Sequence, residues 1–147
     1  MDDPHLSRLI KMYEGAAINQ FFKPTLKLER GKSEIHMAID PKFYHAAGAV
    51  HGAVFFKMLD DAAFFAVNSL IEDAFVVTAQ FNIYYFQPLF EGNVVAKGRL
   101  LQESKSSFLA ESWLQDEAGK QLARGTGTFV KSKFELKNLP SYNQVGI

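Results

Sequence analysis

The apolar positions of the chain recur with two periods, and the changes between them divide the sequence into predicted elements. Near the N-terminus, Asp3-Pro4 can begin a helix, since Asp caps a first turn and Pro is tolerated within it. Helical spacing then gives this segment one apolar face, formed by Leu6, Leu9, Ile10, Tyr13 and Ala17. The stretch PTLKLERGKSEIHMAID alternates instead, which predicts two strands joined by a turn at Gly31.

A second helix is predicted from Gly52 to about Ile71. Its apolar residues fall nearly all round the helical wheel, which is typical of a helix enclosed on most sides by other structure. Four β-like runs follow, with a hairpin signal at Gly119: FVVTAQFNIYYFQP, GNVVAKGRLLQES, SFLAESWLQDEAG and KQLARGTGTFVKS. This order predicts an α+β fold in which a curved antiparallel sheet wraps around one long buried helix. An open sheet leaves edges, so we expect pairing with a second copy.

The 147 residues suit one domain with its own hydrophobic core. We expect a single domain over residues 1–147, with a core that spans about residues 25–131. Periodicity is lost towards the C-terminus, so residues 132–147 are expected to form a tail on the surface.

Composition narrows the classes of partner and of chemistry. Sixteen basic residues balance sixteen acidic ones without a basic run, which argues against a nucleic-acid or anionic-membrane surface. The absence of cysteine excludes thiolate catalysis, disulfides and thiolate metal sites. The N-terminus lacks a signal-peptide pattern, and no stretch approaches the roughly 20 apolar residues that span a bilayer, so we expect a cytoplasmic protein.

Two aspartates stand in the middle of the apolar second helix, where charge is costly. Lys57 precedes Asp61 by four residues, so an ion pair along the helix can account for Asp61. Asp60 instead shares its face of the helix with apolar residues: Ala53, Phe56, Phe64 and Val67. Burying an unpaired carboxylate costs several kcal/mol, which makes Asp60 the candidate for chemistry.

The start of this helix supplies a second candidate. A helix N-terminus presents unpaired N–H groups and a partial positive charge, and Gly52 there lets a ligand approach the backbone closely. The alternative is that GAVHGA is only a compact entry to the helix. His45 and His51 could bind a metal with Asp60, but their spacing fits no strong ligand template, so no metal is expected.

These residues carry a resemblance to the hotdog-fold acyl-CoA thioesterases, and most closely to the phenylacetate-pathway, or PaaI-like, group. The pattern G-x-x-H-G-G…L-x-D-x-A of that group is matched by GAVHGAVFFKMLDDAA, with these residues in register: Gly48, His51, Gly52, Asp60 and Ala62. The strands that follow also resemble the family, and the likeness covers about residues 26–131. The resemblance implies a hotdog fold with an additional N-terminal helix.

The resemblance also implies roles for individual residues. Asp60 falls where the family places its catalytic carboxylate, which acts as a nucleophile or as a general base on water. Gly52 falls where a backbone N–H polarises the thioester carbonyl, and Thr78 where a hydroxyl helps orient the attacking water. Lys105 and Ser106 occupy the stretch that meets the nucleotide or pantetheine arm, so coenzyme A enters as part of the substrate and no separate cofactor is expected.

In the family the acid and the oxyanion donor come from different chains, and dimers commonly pair into tetramers. A homodimer or a dimer of dimers is therefore expected here. Helix geometry favours the same arrangement, because a rise of 1.5 Å per residue places Asp60 too far from Gly52 of its own helix to share one carbonyl.

The chain departs from the family pattern near the motif. His45 stands where many relatives have Asn, Ala53 replaces a second glycine, and Asp61 adds a charge. An imidazole can hydrogen-bond the leaving sulfur or a water, so His45 joins His51 among the candidate catalytic residues. Three hypotheses stay open: hydrolysis of an acyl-CoA to acid and CoA, binding or sensing of acyl-CoA without turnover, and an interaction module with incidental aspartates.

Overall fold

The computed structural model describes residues 2–143 and contains one six-stranded antiparallel sheet with three α-helices. The helices are α1 (Pro4–Gly15), α2 (Asn19–Phe22) and α3 (Gly52–Asn68). The strands are β1 (Thr25–Glu29), β2 (Lys32–Ala38), β3 (Ala74–Tyr85), β4 (Asn93–Glu103), β5 (Phe108–Asp116) and β6 (Gln121–Glu135). Short 3₁₀ turns occupy Pro41–Phe43 and Leu136–Asn138. The strands lie in the order β1-β2-β4-β5-β6-β3, which confirms the predicted sheet packed around a central helix.

α3 lies so close to the sheet that its backbone contacts the strands directly. A Cβ atom added to Gly98 of β4 would lie 2.3 Å from the carbonyl oxygen of Ala62, so only glycine fits there. The Ser112 hydroxyl of β5 donates to the Leu59 carbonyl at 2.7 Å, and the Ser33 hydroxyl of β2 donates to the Ala62 carbonyl. These contacts fix one turn of α3, from residue 59 to residue 62, against the middle of the sheet.

α3 differs from its prediction in where it ends. It ends at Asn68 rather than near Ile71, because the Asn68 side chain bonds the backbone of Ile71, Ala74 and Val76 and so closes the turn after the helix. It is enclosed on most sides, as predicted, and its open face carries Phe56, which is 38% exposed, and the half-buried aspartates. Within residues 2–143, no helix is both long and apolar enough to cross a membrane.

The N-terminal helix forms as predicted, with the Asp3 carboxylate accepting hydrogen bonds from its first turn. Its apolar face is shorter than predicted: α1 ends at Gly15, and Ala17 lies beyond it and is exposed. Leu9 and Tyr13 are buried, and Met12, which the predicted face omitted, is buried as well. The buried residues of α1 thus extend from its first turn, at His5, to Tyr13, which contacts Phe65 of α3.

The C-terminal segment is not a surface tail over its whole length. β6 continues to Glu135, beyond the predicted core limit at residue 131, and Leu136 and Tyr142 are buried. Tyr142 bonds the His5 Nδ1 atom at 2.7 Å, and His5 Nε2 donates to the Asn68 carbonyl at 2.8 Å. The segment thus docks onto α1 and the end of α3, a contact that sequence periodicity does not reveal. The last four residues of the predicted tail, 144–147, lie outside the described residues.

Candidate active site

The incompletely covered face of α3 forms one wall of a cleft of about 390 Å³. Phe56, Asp60 and Phe64 line it from α3, and Phe75 lines it from β3. The opposite wall comes from α1 and α2 and the turn between them, with these lining residues: Met12, Tyr13, Ala16, Ile18 and Asn19. Asp60 is therefore held in apolar company at the edge of a cavity, as its position on the helical wheel predicts.

Thr78 contacts Asp60 directly. Its hydroxyl donates a hydrogen bond of 2.8 Å to Asp60 Oδ1. The register between β3 and β6 shifts between Thr78 and Gln80, so one extra residue is inserted there. Such a bulge changes the alternation of faces, and as a result both Thr78 and Phe81 point towards α3. No hydrogen bond from residues 2–143 reaches Asp60 Oδ2, so this oxygen is available to a water or a substrate.

Burial raises the pKa of Asp60 from its ordinary 3.8 to about 6. The Thr78 hydrogen bond lowers this pKa, the Asp61 charge raises it, and the Lys57 charge lowers it. Desolvation wins because a carboxylate in apolar surroundings loses more hydration than one hydroxyl restores. Asp60 is thus a carboxylate at pH 7 that binds a proton more readily than an exposed aspartate, as a general base requires.

Asp61 has a different environment, which confirms its predicted pairing with Lys57. The Lys57 ammonium lies 2.5 Å from Asp61 Oδ2, and the Tyr13 hydroxyl donates to the same oxygen at 2.7 Å. Lys57 also donates to Asn19 Oδ1 at 2.7 Å, and Asn19 donates to the Tyr13 carbonyl at 2.7 Å. Through Oδ2 and through Lys57, Asp61 links α1 and α2 to α3.

The N-terminus of α3 carries the second predicted feature. His51 caps the helix, with Nδ1 accepting from the Ala53 N–H at 2.9 Å. Among residues 2–143, no acceptor pairs with the Gly52 N–H. The Tyr85 hydroxyl donates to the Gly52 carbonyl at 3.0 Å, and its ring would lie 3.2 Å from a Cβ atom on Gly52. An unpaired N–H at the positive end of a 17-residue helix is suited to an oxyanion.

His45 and His51 lie near Gly52 rather than near Asp60. Their ring centroids are 6.5 Å apart, and the exposed His45 accepts at Nδ1 from the Ala47 N–H at 3.0 Å. His45 and Gly52 line a separate cleft of about 290 Å³ with Tyr85 and Phe86. The structure therefore groups the predicted site residues into two places, Asp60 with Thr78 and Gly52 with the two histidines.

Lys105 and Ser106 lie apart from both groups. They occupy the exposed turn between β4 and β5, where the Ser104 N–H donates to the Ser107 carbonyl at 2.8 Å. In the sheet register this hairpin end lies two to three strands away from Thr78, roughly 10–14 Å at the usual strand spacing. One chain does not bring these two residues to the Asp60 cleft.

The sequence did not predict three residues that help to form the two clefts. Tyr13 and Asn19 form part of the cleft wall, and Tyr85 covers Gly52. Tyr13 was placed on the apolar face of α1, but its bond to Asp61 joins residues 48 positions apart. The local signal was that Asp61 lies in a helix with few polar neighbours, so its carboxylate can accept a hydrogen bond from another segment.

The comparisons with known proteins agree with this architecture. A family model described as "Thioesterase superfamily" matches residues 47–123, which include α3 and β3 to β5. The chain is 30% identical over 104 residues to a Saccharolobus solfataricus protein whose name proposes esterase activity, covering 71% of this chain and 69% of that one. Both of the predicted groups of site residues, apart from His45, fall inside the matched range.

Solved structures share the fold. The E. coli PaaI protein of the phenylacetic acid degradation operon superposes with a TM-score of 0.81 at 18% identity, covering 90% of this chain and 96% of that chain. A Haemophilus influenzae thioesterase superposes with a TM-score of 0.76 at 17% identity, covering 85% of this chain and 88% of that chain. The resemblance to hotdog proteins is thereby confirmed, and the chain belongs to the thioesterase superfamily.

Proposed function

We propose that this protein hydrolyses an acyl-CoA thioester to the free acid and CoA. The observation that carries the proposal is the half-buried Asp60 carboxylate, which lines an apolar cleft and keeps one oxygen unpaired beside the Thr78 hydroxyl. A charge in this place reduces stability, so a chemical role explains it better than a structural one. The superfamily and the names of the relatives support the same class of reaction.

The reaction requires charge to move in two places. Water attacks the thioester carbon, Asp60 accepts the water proton, and the carbonyl oxygen becomes an oxyanion. The Gly52 N–H would donate to that oxyanion, and loss of one such donor typically costs about 2.7–4 kcal/mol in the transition state. The tetrahedral intermediate then collapses with cleavage of the C–S bond, and the thiolate takes a proton to leave as CoA. Direct attack by Asp60 on the carbon is the other route, and it too needs the ionised carboxylate.

Asp60 and Gly52 of one chain cannot serve the same carbonyl. They are eight residues apart in α3, roughly 12 Å along the axis, and they line different clefts. We therefore propose that the site is completed by a second copy of the chain. β3 is suited to that contact because it ends the sheet, is 12 residues long and carries or adjoins exposed apolar side chains: Val77, Tyr84, Tyr85 and Phe86.

Pairing of two β3 strands would bring the required groups together. Thr78 lies beside Asp60, and seven residues further along the strand Tyr85 lies over Gly52. In an antiparallel pair whose twofold axis passes midway between Thr78 and Tyr85, each Thr78 faces the partner subunit's Tyr85. Asp60 of one chain then approaches the partner subunit's Gly52, and each dimer holds two sites.

The coenzyme A arm would extend away from this centre. We propose that Lys105 and Ser106 contact it, since an exposed ammonium and a hydroxyl are suited to phosphate oxygens. Because their turn is far from Asp60 of the same chain, the arm must run along the sheet or come from a site formed with another copy.

The oxyanion role can be tested by removing one N–H without breaking the helix. Gly52 is the first helical residue, where Pro is well tolerated, and His51 already has the extended ψ of 140° that a residue before Pro requires. Gly52→Pro should reduce thiol release from acyl-CoA by about 100- to 1000-fold. Gly52→Ala is the matched control, because it adds a Cβ beside Tyr85 but keeps the N–H. Equal losses in both variants would show that crowding, not the donor, matters.

Mixing two inactive variants tests the shared site. In a heterodimer of Asp60→Asn and Gly52→Pro chains, one of the two sites has both native groups. Random association should therefore restore about a quarter of wild-type activity. A mixture that stays inactive after subunit exchange would place both groups in one chain. Stabilisation by acyl-CoA without any thiol release from the wild type would support the binding or sensing hypothesis instead.

A further inference from the structure

A second apolar cleft adjoins the Asp60 cleft. It has a volume of about 400 Å³ and is bounded by α1, by β3 and by the C-terminal segment, through Gly15, Phe134 and Leu139 among others. The two clefts share Met12, Ala16 and Phe75 as lining residues. They are therefore neighbouring parts of one groove that begins at the carboxylate of Asp60 and runs towards the C-terminal segment.

The volumes indicate how much of a substrate each part can hold. Pockets for whole drug-sized ligands cover about 300–1,000 Å³, and the first cleft, at about 390 Å³, lies near the lower end of that range. The second cleft roughly doubles the space. Among its lining residues within positions 2–143, Lys11 alone has a charged side chain, and the exposed Phe134 adds apolar surface at 59% exposure.

The junction between the clefts is lined by Met12, Ala16 and Phe75, and Ala16 has the smallest side chain of the three. In the second cleft, a Cβ atom added to Gly15 would meet no described atom within 4 Å. An unbranched hydrocarbon chain can pass such an apolar junction without burying a polar atom. A polar group would lose hydration there.

We propose that this groove binds the distal methylenes of a long, unbranched acyl chain, so that the substrates of the site are long-chain acyl-CoAs. The inference rests on the proposed function for the position of the thioester and adds the identity of the acyl group. Ala16 determines the accepted length, since a larger side chain there closes the way into the second cleft.

The test compares butanoyl-CoA with dodecanoyl-CoA in a thiol-release assay. The wild type should show a higher kcat/KM for the longer chain, since each buried methylene contributes about fourfold. Ala16→Phe should reduce the dodecanoyl-to-butanoyl ratio at least tenfold. Phe134→Asp, an exposed substitution with little risk to folding, should reduce the same ratio. Ala17→Phe is the matched control, because Ala17 is exposed and lines neither cleft, and it should keep the wild-type ratio.

Binding separates this inference from the proposed catalysis. Calorimetric titration with the uncleavable thioethers S-butyl-CoA and S-dodecyl-CoA should show tighter binding of the dodecyl compound, and Ala16→Phe should remove the difference. A protein that shows this pattern but releases no thiol would reject the hydrolysis and retain the long-chain groove. If the protein hydrolyses acyl-CoA but Ala16→Phe and Phe134→Asp keep the wild-type dodecanoyl-to-butanoyl ratio, the long-chain groove is rejected and the proposed hydrolysis stands. A change of sedimentation in those variants with an unchanged ratio would assign the groove to a second copy of the chain and also overturn the inference.

Discussion

Asp60→Asn should make the protein more stable at pH 8 while it abolishes thioester hydrolysis. Burial raises the pKa of this carboxyl from 3.8 to about 6, so the folded state binds the proton more tightly than the unfolded state does. Stability therefore falls as the pH rises from 3.8 to about 6, and the deficit is constant above that range. The difference between the two pKa values corresponds to at most about 3 kcal/mol, and the partial exposure of Asp60 reduces it.

Asparagine removes this ionisation but keeps an oxygen that can accept the Thr78 hydrogen bond. Urea unfolding of wild type and variant at pH 8 and at pH 4, at one protein concentration, measures the difference. The variant should have the larger free energy of unfolding at pH 8, and the gap should narrow at pH 4. Thiol release at pH 8 should fall to the uncatalysed rate, because no base remains.

Asp61→Asn provides a control at the adjacent position. It removes one partner from the Lys57 ion pair and from the Tyr13 hydrogen bond, so it should lower stability at pH 8. An Asp60→Asn variant that gains no stability between pH 4 and pH 8 relative to wild type would refute the reasoning. The carboxylate would then be well hydrated, even if activity were lost.

Four substitutions, compared in two pairs, test the site and the fold. Thr78→Val removes a donor that lowers the pKa of Asp60, so the acidic limb of the kcat/KM profile should move to higher pH. Asp61→Asn removes a charge that raises that pKa, so the same limb should move to lower pH, and shifts in one direction for both variants would contradict the assignment. Gly98→Ala places a methyl group against a carbonyl of α3 and should cost about 1–3 kcal/mol in urea unfolding. Gly15→Ala, where the added methyl meets nothing, should cost far less, and equal costs would show that the close packing of α3 has no role.

The local patterns of the sequence predicted the elements well. The alternation of apolar and polar residues predicted β1 and β2, and the apolar residues on nearly all sides of α3 predicted the central helix. The four-residue spacing from Lys57 to Asp61 identified a contact that forms within one helix, and so separated the paired aspartate from Asp60. These features can be predicted from the sequence because they depend on residues within a few positions of each other in the chain.

Contacts between distant segments were not predictable in the same way. Asn68 ends α3 by bonding residues that come after the helix, which overrides an apolar pattern that continues to Ile71. Tyr142 is buried in a segment without periodicity because its hydroxyl forms a hydrogen bond with His5, near the other end of the chain. The wall facing Asp60 likewise depends on how α1 packs, and a single sequence has no period that encodes such packing.

The close contact between α3 and the sheet has a consequence for redesign. The turn of α3 that carries Asp60 is held through its backbone, by close packing on Gly98 and by hydrogen bonds from Ser33 and Ser112. Substitutions elsewhere should therefore displace the carboxylate very little. Residues 2–22 contact that turn through side chains such as Tyr13. This segment can therefore be replaced as a unit. Chimaeras that carry the N-terminal helices of other superfamily members should have a changed acyl preference and an unchanged position of Asp60.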